Sequence, residues 1–159
     1  MFKLLKKENK KILKSPTEGK IIDLSEVEDN VFSQKIMGEG VAIDTIGDII
    51  SSPIKGNLAL ITETKHAFVI ESENGMEVLV HIGIDTVNLK GEGFEILAEA
   101  GTEVKVGQPI IKVDREFIKS KGYSLVTPVI VTNHSDYNVS TCNIGELAQS
   151  AVTDIIKYK

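Results

Sequence analysis

Residues 64–87 read TKHAFVIESENGMEVLVHIGIDTV. Two apolar runs, HAFVIE (66–71) and MEVLVHI (76–82), flank the turn SENG (72–75). Asn-Gly between alternating apolar residues is a strong short-range signal for a β-hairpin, so the stretch predicts two antiparallel strands. His66 and His81, two of the chain's three histidines, stand on its two arms. Their separation matches neither a helical face nor a metal-clip spacing, so only the fold can bring them together.

The turn decides how they meet. A hairpin symmetric about the Glu73–Asn74 bond places His66 directly opposite His81, with Cβ atoms about 4.5–5.5 Å apart. A two-residue Asn74-Gly75 loop instead sets His81 opposite Phe68 and diagonal to His66, on the same face. A loop with an odd residue count, or a bulge, sends the rings to opposite faces. On the even reading, His66, Phe68 and Ile70 share a face with His81, Leu79 and Glu77. Ala67, Val69 and Glu71 then join Val80, Val78 and Met76 as the better core. The imidazoles stand at one end of an apolar, non-core face, the kind of surface on which a partner docks.

The rest of the chain repeats the β pattern. SPTEGKIIDL (15–24) and SPIKGNLALI (52–61) share the frame Ser-Pro-x-x-Gly-x-Ile/Leu, a turn followed by an apolar run. The frame is too short to establish a duplication. Further β-like runs are VAI (41–43), PIIKV (109–113) and PVIVT (128–132). Thirteen glycines punctuate these runs, which predicts an all-β, antiparallel sandwich or barrel-like single domain with one or two short helices. NVFSQKIM (30–37) is read as one helix, closing at Gly38. DREFIKSKG (114–122) is read as the other, with Asp114 as its cap and Gly122 as its stop.

Composition narrows the function classes. At 159 residues the chain suits one domain with a real core. Hydrophobic residues make up 42% and charged residues 26%, ordinary for a soluble protein. No apolar run approaches the roughly 20 residues that span a bilayer, and the start lacks a secretory signal. The single cysteine, Cys142, excludes an internal disulfide framework and fits a cytoplasmic protein. Residues 1–14 hold six lysines against one glutamate, which leaves −10 for residues 15–159 of a chain whose net charge is −5. The body argues against nucleic acid and is compatible with basic partner proteins. Residues 1–14 are read as a basic, flexible segment, with weak contact to anionic lipid as the alternative; residues 15–159 form the domain. Because the chain starts with methionine and ends near the domain limit, a stand-alone protein is expected rather than a fragment of a longer fused chain.

Three chemistries remain open for the two histidines. A metal needs at least one further ligand, which Asp85, Cys142 or His134 could supply, none at a diagnostic spacing. A serine or cysteine nucleophile lacks its signature, and Gly38-Glu39-Gly40 and Gly91-Glu92-Gly93 are too short for a nucleotide-binding fingerprint. The third uses imidazole itself as the nucleophile. A neutral ring carries a bare nitrogen near pH 7 and needs no separate base. If its other nitrogen donates to a backbone carbonyl, the tautomer is fixed, and a neighbouring imidazole N–H can stabilise a transferred phosphoryl group.

The pattern T-K-H-A-F…V-L-V-H-I-G-I-D-T-V-x-L-x-G-E-G-F resembles the active-site signature of the enzyme IIA component, glucose class, of the bacterial phosphoenolpyruvate-dependent sugar phosphotransferase system. The resemblance runs from about Ser15 through Thr132 and takes in SPTEGKI, VFSQKIMGEGVAI and GTEVKVGQPI. It implies an antiparallel β-sandwich that accepts a phosphoryl group from phosphorylated HPr and passes it to the IIB domain of a glucose-type sugar permease. By motif match, His81 is phosphorylated through Nε2, and the Gly83 carbonyl accepts from its Nδ1. His66 hydrogen-bonds the phosphoryl group, and Thr64 orients His66.

The partner-docking rim maps to Asp29, Asp85, Val31, Phe32, Met37, Leu79 and Val87, with Phe32 as core the alternative reading. No cofactor is required, although zinc shared between His66, His81 and a partner's carboxylate fits the family. Relatives also regulate other proteins through the same face; a phosphorylation-dependent binding module and a metal-dependent hydrolase are the competing readings. The chain departs from the family at GELAQSAVTDII (145–156), where the last hairpin lacks its second glycine, so strain or a shift is expected there. His134 matches no site position and is read as a loop residue.

Overall fold

The alternation of the apolar runs builds three antiparallel sheets, seen over residues 11–159 in a computed structural model. The strands are β1 (Ile12–Lys14), β2 (Gly19–Asp23), β3 (Glu39–Thr45), β4 (Ile49–Ser51), β5 (Gly56–Ile61), β6 (Ala67–Ser72) and β7 (Glu77–His81). They continue as β8 (Phe94–Ile96), β9 (Glu103–Val104), β10 (Pro109–Val113), β11 (Val126–Val131), β12 (Val139–Thr141), β13 (Leu147–Ala148) and β14 (Asp154–Tyr158). One sheet of eight strands has the order β13-β2-β3-β11-β7-β6-β5-β9; two three-stranded sheets are β1-β14-β12 and β4-β10-β8. The expected all-β sandwich is what forms. Among the described residues no helix is long and apolar enough to cross a membrane.

The main core fills the space between the large sheet and the two small ones. Val41, Ile43, Phe68, Ile70, Val78, Val80, Val129 and Val131 point inward from the large sheet and meet Leu13, Ile50, Ile110, Ile111 and Ile156. The intervening residues of the central strands point outward. Ala42, Ala67, Leu79 and Ile130 make a second, smaller apolar cluster on the outer face, roofed by Leu24, Val27, Phe32 and Ile84. Period-two alternation thus gives the sheet two buried surfaces, and the outer one carries the histidines.

Register corrects the sequence reading of the hairpin. Ser72 N–H donates to the Met76 carbonyl at 2.9 Å, so the loop is Glu73, Asn74 and Gly75, with Gly75 at φ 88°. Three-residue loops closed by a left-handed residue are a common hairpin form, and their odd count changes the faces. Ala67 lies opposite His81, Val69 opposite Leu79, and Phe68 opposite Val80. Phe68 and Ile70 therefore belong to the main core, not beside the histidines as expected, while Ala67 and Val69 share the outer face with Leu79 and His81.

Two further expectations change. The helix read over 30–37 is only α1 (Asn30–Ser33); Lys35 turns left-handed at φ 59°, and the amides of Ile36 and Met37 both fold back to the Val31 carbonyl. The second helix, α2 (Arg115–Ser120), keeps its predicted cap, with the Asp114 carboxylate accepting from Phe117 N–H at 3.1 Å, and its predicted stop at Gly122, φ 88°. The basic segment also divides. Ile12–Lys14 is strand β1, with Leu13 fully buried, whereas residues 1–10, on which the lipid-contact reading mainly falls, lie outside the described residues.

The Ser-Pro frame marks a pseudo-twofold repeat of the whole architecture. Lys14 N–H donates to the Pro53 carbonyl at 2.9 Å and Ser51 N–H to the Pro16 carbonyl at 2.7 Å, the same bond made reciprocally. Leu13 faces Ile156 in β1–β14 just as Ile50 faces Ile111 in β4–β10, and both pairs shift register at the residue before the Ser-Pro serine. The strand order of the large sheet reads the same from either edge under this operation, with β11 and β7 at its centre. His81, opposite Ala67, has Ile130, opposite Gly40, as its counterpart.

The repeat also locates the strain expected in the last hairpin. Gly107 N–H donates to Ser52 O and Ala151 N–H to Ser15 O, both at 2.9 Å. Gly107 has φ 84°, and Ala151, at the equivalent place, has φ 63°. A left-handed alanine costs about 1–2 kcal/mol, and glycine costs about 0.4–1 kcal/mol in unfolded-chain entropy. Ala151→Gly is therefore expected to stabilise the protein by about 0.5–1 kcal/mol and to raise the melting temperature by roughly 1–4 °C. Thermal unfolding followed by circular dichroism checks this.

Candidate functional site

The two imidazoles meet although the strand register does not pair them. His66 lies outside β6, in the five-residue loop Thr62–His66 that joins β5 to β6. Lys65 takes φ 60° there, reversing the chain just before His66. The His66 carbonyl accepts from Ile82 N–H at 2.7 Å, which ties the loop to the end of β7. The ring thereby leaves strand geometry and reaches the outer face where His81 stands. Ring centroids are 4.8 Å apart with planes at 82°, and the Phe32 ring packs on His81 at 5.0 Å, tilted by 56°.

Each ring has one nitrogen occupied. His81 Nδ1 lies 2.9 Å from the Gly83 carbonyl. A neutral ring in that position donates Nδ1–H and leaves the Nε2 lone pair free. Gly83 is required for the turn: φ is 84°, and a Cβ there would meet Thr86 Cγ2 at 2.5 Å and the Ser124 carbonyl at 2.7 Å. His66 Nδ1 lies 2.7 Å from the Thr64 hydroxyl and 3.4 Å from that of Thr62. When a hydroxyl donates to it, Nδ1 is an acceptor and the proton sits on Nε2.

Burial keeps both rings neutral at pH 7. Desolvation lowers His66, which is 7% exposed, to a pKa of about 4, and the charge His81 would carry adds to this. His81 is half-buried, and burial lowers its pKa also. The Gly83 carbonyl, then the carboxylates of Asp29 and Asp85, pull in the other direction. Asp29 also caps α1, accepting from Val31 N–H at 3.0 Å. Asp85 takes φ 61° and makes no side-chain cap bond, so its carboxylate is available.

The rim residues sort into surface and floor. Val31 and Met37 are each 40% exposed and Val87 is 46% exposed. Phe32 and Leu79 are buried, at 4% and 8%, and present little surface of their own. Sequence reading missed Ile36, 68% exposed in the same loop, because a helix over 30–37 gave it no special place. It also missed Thr62, which strand alternation alone does not direct toward a ring. Among the described residues no group of three or more His, Cys, Asp or Glu side chains could hold a metal. Asp85, Cys142 and His134 therefore do not complete a site with the histidine pair; His134 opens a short 3-10 turn over His134–Asp136.

A profile of the phosphoenolpyruvate-dependent sugar phosphotransferase system, EIIA 1, matches residues 11–137. The chain belongs to this EIIA family. It is 42% identical over 156 residues to a PTS system glucose-specific EIIA component of Oceanobacillus iheyensis, covering 98% of this chain and 90% of that one. It is 41% identical over 138 residues to a glucoside-specific EIICBA component of Staphylococcus carnosus, covering 87% of this chain but only 20% of that longer protein. The solved glucose permease IIA of Mycoplasma capricolum superposes with a TM-score of 0.79 at 35% identity, covering 99% and 98% of the two chains. The EIIA sandwich expected from the motifs is the fold found.

Two outcomes follow from this EIIA site. Gly83→Ala is expected to destabilise by about 2 kcal/mol or more, since strain and overpacking coincide. In the folded fraction it should release His81 Nδ1 from its carbonyl, seen as mixed tautomers by 15N NMR. The second concerns pH. The unfolded chain protonates His66 near pH 6.5 and the folded one only near 4, so the unfolded state binds more protons between these values. Stability contributed at this site is intact above pH 6.5 and falls as pH drops toward 4. The melting temperature of His66→Gln should decline less steeply over pH 6.5–5 than that of the parent.

Proposed function

We propose that this EIIA protein carries a phosphoryl group on Nε2 of His81, taken from phosphorylated HPr and delivered to the IIB domain of a sugar permease. The observation that carries the reading is the pairing of two neutral imidazoles with Nδ1 partners, packed against Phe32, whose helix and loop expose Val31, Ile36 and Met37. In the transfer, the His81 Nε2 lone pair forms a bond to phosphorus as the donor's P–N bond breaks. The electron pair of that bond returns to the donor's imidazole. His81 gains positive character, which the Gly83 carbonyl stabilises through Nδ1–H. His66 donates Nε2–H to a phosphoryl oxygen, and the Thr64 hydroxyl orients the ring through Nδ1.

The environment suits transfer in both directions. Neutral rings need no general base, and no proton has to leave for the group to move on. The Asp29 and Asp85 carboxylates meet basic side chains of the donor and act chiefly on encounter rate and its salt dependence. Exposed Val31, Met37 and Val87, with Ile36, exclude water when a partner is seated. The relatives that are EIICBA components carry A and B units in one name, which supports a IIB acceptor here. No cofactor enters this chemistry. A zinc ion takes four ligands, of which the pair could give two, so such a site would need a partner's carboxylate to complete it.

The test uses phosphoenolpyruvate, enzyme I, HPr and labelled phosphate. The protein should acquire an acid-labile, base-stable label that is absent from His81→Ala. His66→Gln should still accept label but pass it to a IIB domain about 10²–10³-fold more slowly, the usual cost of losing one charge-stabilising donor. Normal labelling of His81→Ala overturns the assignment, and activity abolished by chelators would favour metal chemistry.

A further inference from the structure

We propose that Thr62 is a second positioning hydroxyl for His66, one that holds the ring in its Nε2–H tautomer. This rests on the phosphocarrier reading of the site and extends it to a residue outside the motif. Thr62 ends the β5 side of the loop and is bound tightly to its far end. Its N–H donates to the Ala67 carbonyl at 3.0 Å, and its own carbonyl accepts from Lys65 N–H at 2.9 Å. In a simple hairpin that carbonyl would serve Ala67 N–H. Here Ala67 N–H donates to Thr62 Oγ1 at 3.2 Å instead, so the hydroxyl closes the loop.

That arrangement directs the hydroxyl proton. Oγ1 has one lone pair occupied by Ala67 N–H, which makes the O–H a stronger donor. Two acceptors lie within reach: the Ala67 carbonyl at 3.2 Å, already used by Thr62 N–H, and His66 Nδ1 at 3.4 Å. Thr64 alone does not decide the tautomer, because a hydroxyl at 2.7 Å can donate to Nδ1 or accept from it. With Thr62 presenting a proton from a second direction, a proton on Nδ1 is disfavoured. The ring then keeps its Nε2–H for the phosphoryl group. Left-handed Lys65, between Thr64 and His66, turns the chain back so that both preceding hydroxyls reach the same nitrogen.

The test compares Thr62→Val, which keeps the shape and loses the hydroxyl, with Thr62→Ser, which restores it. By 15N NMR of the unphosphorylated protein, Thr62→Val should populate the Nδ1–H tautomer of His66, and Thr62→Ser should return it to the parent state. Transfer from the phosphorylated protein to a IIB domain should slow about three- to tenfold in Thr62→Val, with KM unchanged, as for loss of one neutral hydrogen bond. Should the valine chain not fold, Thr62→Ala gives the same readouts. Unchanged tautomers in Thr62→Val or Thr62→Ala overturn the inference, even if the melting temperature falls, because Thr62 then only closes the loop. Failure of the phosphocarrier reading looks different: label would be absent from His81, while the tautomer measurement needs no label at all.

Discussion

An imidazole can give and take a phosphoryl group only while one nitrogen is kept bare and the other is held. The bond between His81 Nδ1 and the Gly83 carbonyl meets that requirement, and much of the local structure depends on it. Gly83 must be glycine because the turn is left-handed and crowded by Thr86 and Ser124. The turn in turn sets Asp85 in its own left-handed conformation, with its carboxylate free beside the ring. Phe32, held by the short helix that Asp29 caps, closes the opposite side. Sequence, backbone conformation and electrostatics converge on one nitrogen.

His66 is positioned by different means. A strand residue would have pointed away, since Ala67 and not His66 faces His81 across the hairpin. The loop between β5 and β6 overrides alternation with a left-handed Lys65 and returns the ring to the outer face. Burial then lowers its pKa far enough that the ring stays neutral across the physiological range. The site therefore joins a strand end, whose geometry is regular, to a loop whose geometry is not.

How much of this was legible in the chain follows the same division. Regular alternation gave the strands: PIIKV was read as 109–113, and β10 covers those residues. The Asp114 cap and Gly122 stop were readable because capping chemistry is local. The meeting of the two histidines was read correctly as an outcome, but from an even-numbered turn that the chain does not make. Asn74-Gly75 announces a hairpin without choosing between two and three loop residues, and one residue moved Phe68 and Ile70 into the core. The helix expected over 30–37 stops at Ser33, because apolar spacing does not reveal that Lys35 turns left-handed. Thr62 had no signal, since its hydroxyl matters through a loop closure that periodicity does not encode.

The pseudo-twofold axis has a final consequence. It passes between β7 and β11, so each half supplies one central strand, yet only one half bears an imidazole there. Ile130 fills the mirrored position with hydrocarbon, under the same roof. A carrier made this way has a single berth in a symmetric hull. On the proposed role of His81, donor and acceptor would have to visit by turns, each departing before the next arrives, a ping-pong exchange imposed by architecture.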